Sequence, residues 1–169
     1  EYNVDCVGDL QGRFDSVVIA DLERVHQLPR DVDAIVLADV LEHLRSPARA
    51  LGLVRDALND DGHVFISVPN IANITVRLGL LLGIFEYRDR GILDHTHLRF
   101  YTVRTIKHEV ERAGFRIEEV RGSSVPIRLI IGRFTPEFLL RIGERLLTWL
   151  TRLWRGLFAY QVILVATKK

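Results

Sequence analysis

The sequence predicts an α/β fold on a parallel sheet, and three observations carry the prediction. Short β-branched runs alternate with stretches whose apolar residues recur at helical spacing. One run, Asp33–Ala38 (DAIVLA), is apolar enough throughout to be covered on both faces, as central parallel strands are. It leads into Asp39, Glu42 and His43 at its C-terminal end, where open α/β sheets bind their ligands.

Taken in order, Ser16–Ala20 (SVVIA) is the first expected strand and Asp33–Ala38 the second. Ser46 is placed to cap the next helix with Pro47 at its first position. Leu51, Val54 and Leu58 supply that helix's apolar stripe. Asn59–Gly62 reads as a turn, and His63–Val68 as a third strand that Pro69 stops. Residues 74–85 (ITVRLGLLLGIF) are apolar nearly all round but too short to span a bilayer comfortably. A polar segment runs from Glu86 to His97. Thr102 is the expected N-cap of a helix over Val103–Ala113, closed by Gly114. Phe115–Val120 is a fourth strand, and 127–155 is mainly helical with a break near Thr135-Pro136. Phe158–Ala166 (FAYQVILVA) is the last strand. Without repeats or linkers, 1–169 reads as one domain with a Leu/Arg-rich helical insertion at about 127–157.

The chain of 169 residues is 48% hydrophobic and 27% charged, which describes a globular protein with a real core. A net charge of +1 gives no global attraction to nucleic acid. The single cysteine, Cys6, excludes an internal disulfide and every multi-cysteine zinc pattern. With no signal peptide and no long charge-free apolar run, the expected location is the cytoplasm. The sequence lacks methionine and opens on Glu1, so an upstream portion is expected.

Several strings in this order resemble the class I S-adenosylmethionine-dependent methyltransferases over nearly the whole chain. They are ADLE at Ala20–Glu23, DAIVLADVLEHLRSP at Asp33–Pro47, GHVFISVPN at Gly62–Asn70 and DHTHLRFYT at Asp94–Thr102. AGFRIEEV and the closing FAYQVILVATKK complete the likeness. The resemblance implies a Rossmann-like sheet, mostly parallel with an antiparallel last strand, and S-adenosylmethionine across the C-terminal ends of its first strands. On that pattern Val17–Ala20, Ala34–Ala38, Val64–Val68, Arg116–Val120 and Tyr160–Ala166 become strands three to seven, preceded by a helix over Tyr2–Arg13. The family's glycine-rich loop, its strand one and most of strand two have no counterpart in the sequence. An N-terminally truncated domain is therefore expected, with unpaired sheet backbone that favours poor solubility, a homodimer or an upstream completing segment.

The resemblance also implies roles. Glu1 would accept hydrogen bonds from the ribose hydroxyls, Asp21 from the adenine amino group, with the Leu22 backbone N–H beside the ring. Asp39 and Val40 would border the methionine part. Asn70 and Arg99 would wall the acceptor, with His95 and His97 as candidate general bases, since imidazole titrates near pH ~6.5. The simpler readings make Asp21 a turn residue, one histidine a backbone partner, and Arg99 a partner of Asp94 or Glu86.

Asp39, Glu42 and His43 admit two readings. In the favoured one they hold the turn and pair with arginines such as Arg45 or Arg49. In the other, Asp39-x-x-Glu42-His43 with His97 forms a metal site, resembling the Glu-x-x-Glu-His arrangement of ubiquinone-pathway and small-RNA 2′-O-methyltransferases. The helical stretch sets Arg128, Arg133, Arg141, Arg145, Arg152 and Arg155 against Glu137 and Glu144, with Trp149 and Trp154. Packing on the sheet or lidding the pocket is expected first and peripheral membrane contact through 137–157 second; no nucleic acid is expected. The expected function is methylation of a small-molecule or glycan-like acceptor at oxygen or nitrogen. The alternative is a non-catalytic, methyltransferase-like binding protein or a membrane-peripheral module.

Overall fold

The computed structural model describes residues 13–128 and 135–169. Four strands, β1 Val32–Ala38, β2 Leu58–Pro69, β3 Phe115–Ser123 and β4 Gln161–Lys168, form one sheet in the order β1-β2-β4-β3. β1 and β2 pair in parallel, whereas β4 runs antiparallel to both β2 and β3. Three strands therefore share a direction and the last one opposes them. The helices are α1 Pro47–Ala57, α2 Ile74–Leu81, α3 Val103–Arg112, α4 Glu137–Leu153 and α5 Arg155–Phe158, with a 3-10 turn at Leu41–His43.

The core lies between one face of this sheet and the helices α1 and α3. Val64, Ile66 and Val68 on β2 and Val162, Leu164 and Ala166 on β4 are buried at the period of two that a strand imposes. Leu51 and Val54 from α1 and Ile106 and Val110 from α3 close over them, all fully buried. Each such side chain contributes roughly 1.5–3 kcal/mol of apolar burial. Thr102 caps α3 as expected, through a reciprocal box with Thr105, and Gly114 with φ 92° turns the chain out of the helix.

Several expectations are corrected. Ser16–Ala20 is irregular and lies outside the sheet, with Val18 71% exposed. A β-branched run becomes a strand through neighbours on a pleated surface, and the four strands leave this run out. DAIVLA is covered on one face: Leu37 is 6% exposed but Val36 is 66%, because no helix described here lies over it. Asn59–Gly62 is a bulge inside β2, since Val32 pairs with Leu58 but Ala34 already pairs with His63. Ser46 precedes α1 without capping it through its side chain; instead Glu23 Oε1 accepts from the backbone N–H groups of Arg45 and Ser46 at 2.8 and 3.0 Å. Phe158 ends α5 rather than opening the last strand, which starts at Gln161. The break near Thr135-Pro136 falls at the edge of the described residues, and Arg133 lies outside them, as does all but Arg13 of the helix expected over residues 2–13.

α4 packs beside β3 through Leu140 and Thr151, which are buried. Leu147 and Leu150 are half-buried, whereas Phe138, Leu139, Ile142, Leu146, Trp149 and Leu153 are exposed, so packing on the sheet accounts for one face only. Among the described residues no helix is long and apolar enough to cross a membrane.

Candidate functional site

The site begins where β1 ends. Asp39 takes a left-handed φ of 52°, and its N–H still donates to the Ser67 carbonyl of β2 at 3.1 Å. Aspartate tolerates this conformation better than most residues. The chain then turns into the 3-10 element, whose Leu41 enters the core and carries Glu42 inward beside it. Glu42 is 1% exposed, and neither carboxylate oxygen has a hydrogen-bond partner among the described residues. Burial, helped by like-charge repulsion from the nearby Asp39 carboxylate, pushes its pKa up to about 7.

The second half of the site arrives from far along the sequence. The backbone carbonyl of Glu42 accepts from the N–H groups of Leu98 and Arg99 at 2.8 and 3.1 Å, pinning this segment to the turn. Asp94 Oδ1 accepts from Thr96 N–H at 2.8 Å and from its hydroxyl at 2.7 Å. Thr96 in turn meets His43 Nδ1, its carbonyl at 3.3 Å. His97 Nδ1 lies 3.1 Å from the Ile92 carbonyl. A carbonyl only accepts, so both Nδ1 atoms carry a proton and both Nε2 atoms are the ring nitrogens turned away from these carbonyls. Burial holds the His97 pKa below the usual imidazole value, which keeps that ring neutral. Ligand-capable atoms of Glu42, His43 and His97 lie within 4.8 Å of one another.

These groups line a cleft of about 310 Å³ together with Asp39, Arg90, Gly91, Tyr160 and Gln161. Gln161 Nε2 donates to both Asp39 carboxylate oxygens at 2.8 Å. The register explains the meeting: Pro69 opposes Gln161, so antiparallel β4 starts where β1 and β2 stop. Gly91, at φ 96°, lies so close to Tyr160 that a Cβ there would stand 2.8 Å from the phenol oxygen. An adjoining cavity of about 280 Å³ shares Arg90, Gly91 and Tyr160 and adds Thr75, Glu86 and Arg88.

The expected site residues divide. Asp39, Glu42, His43 and His97 come together in the cleft, and Val40 is the half-buried residue that opens the turn. His95 does not line it; its Nδ1 faces the Arg88 carbonyl at 3.3 Å, with Asp89 and Asp94 each 3.8 Å away. Asp21 turns to its own backbone, accepting from Glu23 N–H at 2.9 Å, and ion-pairs with Arg24. Leu22 packs against the core and its carbonyl accepts from Arg49. Asn70 is fully buried, its Nδ2 donating to the Ala159 carbonyl at 2.9 Å and its Oδ1 accepting from Ala72 N–H. The Arg99 guanidinium donates to the Leu44 and Arg45 carbonyls rather than to Asp94 or Glu86. Glu1 lies outside the described residues. The expected pairing of Glu42 or His43 with Arg45 or Arg49 does not form, since Arg49 donates to the Glu23 and Val25 carbonyls.

Tyr160, Gln161, Arg90 and Gly91 went unforeseen. Gln161 did carry a signal, as the one amide in an otherwise apolar strand.

The cleft's chemistry fits the sulfonium end of the implied cofactor: the carboxylates of Asp39 and Glu42 face a space that a cation would neutralise. The model of the family described as "Methyltransferase domain" matches residues 2–120. The structure is similar to that of a SAM-dependent methyltransferase from Archaeoglobus fulgidus, at 18% identity and TM-score 0.61, covering 99% of this chain and 74% of that one. It is similar to one from Thermotoga maritima, at 13% identity and TM-score 0.65, covering 100% of this chain and 72% of that one. A third, from Mesorhizobium loti, shares 16% identity at TM-score 0.58 over 99% of this chain and 78% of its own. The search of curated proteins found no match. Family match, strand directions and the position of the cleft lead to one conclusion: the chain belongs to the S-adenosylmethionine-dependent methyltransferases.

Proposed function

We propose that this methyltransferase modifies an oxygen or nitrogen of a small-molecule or glycan-like acceptor, and that the acceptor meets the methyl donor in the cleft of Asp39, Glu42, His43 and His97. The observation that carries the reading is Glu42, fully buried with two oxygens unpartnered among the described residues, beside two histidines whose Nδ1 atoms are both engaged by backbone carbonyls. S-adenosylmethionine supplies a methyl group on a sulfonium that is open to displacement. Asp39, fixed by Gln161, sets negative charge beside that cation. His97, neutral and anchored by Ile92, can take the acceptor's proton at Nε2. The adjoining cavity with Glu86, Arg88 and Arg90 offers the polar lining that hydroxyl-rich acceptors need. Release of S-adenosylhomocysteine across a panel of monosaccharides, phenols and small amines tests the proposal. Acceptor-dependent turnover that His97→Asn lowers by about 100-fold supports it; turnover unchanged in that variant overturns it.

A second reading adds a divalent cation to the same cluster. It is favoured by the close approach of Glu42, His43 and His97 and by the carbonyls behind both Nδ1 atoms, which orient imidazoles as metal ligands are oriented. A cation held there would orient an acceptor hydroxyl and lower its pKa. Asp39 stands outside this cluster, engaged with Gln161.

A further inference from the structure

We propose that α4 is a membrane-surface anchor that docks this protein on a phospholipid bilayer carrying anionic headgroups. The face that α4 turns away from β3 is apolar and open to solvent. Phe138, Ile142, Leu146, Trp149 and Leu153 follow one another at helical spacing, and each is more than half exposed, Leu153 at 71%. Trp154, directly after the helix, is 62% exposed. An isolated apolar side chain on a surface is ordinary, whereas an unbroken stripe along a four-turn helix is not.

The charge pattern selects the occupant. Arg141, Arg145 and Arg152 each follow a member of the apolar stripe by three residues and line its flank, all exposed, with Arg155 beyond. The helix's two acids offset little of this charge: Arg128 donates bidentately to Glu137 at 2.9 and 3.1 Å and to Glu144 at 3.1 and 3.2 Å, and Glu137 also pairs with Arg141 at 3.3 Å, which leaves Arg145 and Arg152 without a carboxylate partner among the described residues. An apolar stripe edged by more arginines than acids, with two tryptophans, matches the interface of a bilayer whose headgroups are negative. A second copy of the chain would bring arginine row against arginine row, which like charges disfavour. α4 lies flat on such a surface and does not span it.

The protein carries its own reporter, since its only two tryptophans are Trp149 and Trp154. Vesicles of phosphatidylcholine, with and without phosphatidylserine, are titrated into the protein at low and high salt while tryptophan emission is followed. Binding to the phosphatidylserine vesicles is expected to be at least about tenfold tighter at low salt, with a blue shift, and to weaken as salt screens the arginines. Arg145→Glu with Arg152→Glu removes the lipid preference, and Leu153→Ser reduces the blue shift; all three positions are exposed, so an unchanged melting curve shows that the fold survives. Emission that does not move with either vesicle overturns the proposal. So does equal binding to both vesicle types. A concentration-dependent dimer that shields the tryptophans, or capture of an acidic protein with vesicles ignored, assigns the face to another occupant and overturns it as well.

Discussion

The imidazole rings of His43 and His97 meet edge to face, their centroids 4.9 Å apart, although one belongs to the turn after β1 and the other to the loop before α3. The contact joins the two halves of the cleft, and Thr96 and Ile92 fix each ring from behind. Replacing His97 with alanine is expected to lower kcat by about 100-fold or more. Far-ultraviolet circular dichroism should remain unchanged, because the ring is only half-buried. Single-turnover kinetics with saturating donor separates this loss from weakened binding.

Glu42 makes stability depend on pH with a definite sign. Its folded pKa of about 7 lies above the ordinary 4.5, so the folded state holds the proton more tightly than the unfolded chain. The group imposes no penalty below pH 4.5, and stability falls as pH rises towards about 7, levelling off above it. Glu42→Gln is expected to be more stable than the wild type at pH 8, by about 1–3 kcal/mol after allowance for screening at the cleft mouth. The gap should shrink at pH 5. Urea denaturation at both pH values checks this, and a constant gap contradicts it.

Metal binding gives a separate result for the same side chain. If a cation occupies the cluster, Mn²⁺ or Mg²⁺ should raise the wild-type melting temperature and EDTA should reverse the gain. Glu42→Gln should lose most of the response. An equal response in both proteins assigns any stabilisation to other sites.

Gly91 is expected to resist substitution for two independent reasons. Its φ of 96° strains any L side chain, and an added Cβ would press on the Tyr160 hydroxyl. Gly91→Ala should destabilise by about 1–2 kcal/mol, and it should raise KM for the acceptor as the shared wall of the two cavities shifts. Tyr160→Phe in the same chain should restore part of the loss, while the backbone strain remains. A double-mutant cycle in thermal melts measures that coupling.

Much of this architecture was legible in the residues. The apolar runs HVFISV and FAYQVILVA marked β2 and β4, Thr102 and Gly114 bracketed α3, and the acidic string after DAIVLA pointed to the end of β1 where the cleft lies. SVVIA misled because a β-branched run needs a ladder, and neighbours are invisible in a local pattern. Asn70 misled for a related reason: an amide after a strand can face a ligand or cap a neighbour, and here it ties β2 to the Ala159 carbonyl. Tyr160 and Gln161 were missed because their place depends on β4 running antiparallel into the cleft, a fact of pairing rather than of composition.

Asn70→Ala is accordingly expected to cost about 1–3 kcal/mol of stability, since the Ala72 N–H loses its acceptor and the Ala159 carbonyl keeps only its bond from Asn73 Nδ2. KM for the acceptor should stay within about twofold of the wild type once folding is controlled. A large rise in KM at unchanged stability would return Asn70 to the acceptor wall.

The measurement that tests the account most directly is calorimetric titration of S-adenosylhomocysteine into the wild type and Asp39→Asn. Asparagine also tolerates the left-handed backbone and can still accept from Gln161, so this change removes chiefly the charge. With S-adenosylmethionine as the titrant, the cationic ligand, the variant is expected to lose about tenfold in affinity. The product, a thioether without the sulfonium charge, should lose much less. Equal affinity of both proteins for the sulfonium ligand, or no saturable binding by the wild type, would contradict the placement of methyl transfer at the end of β1.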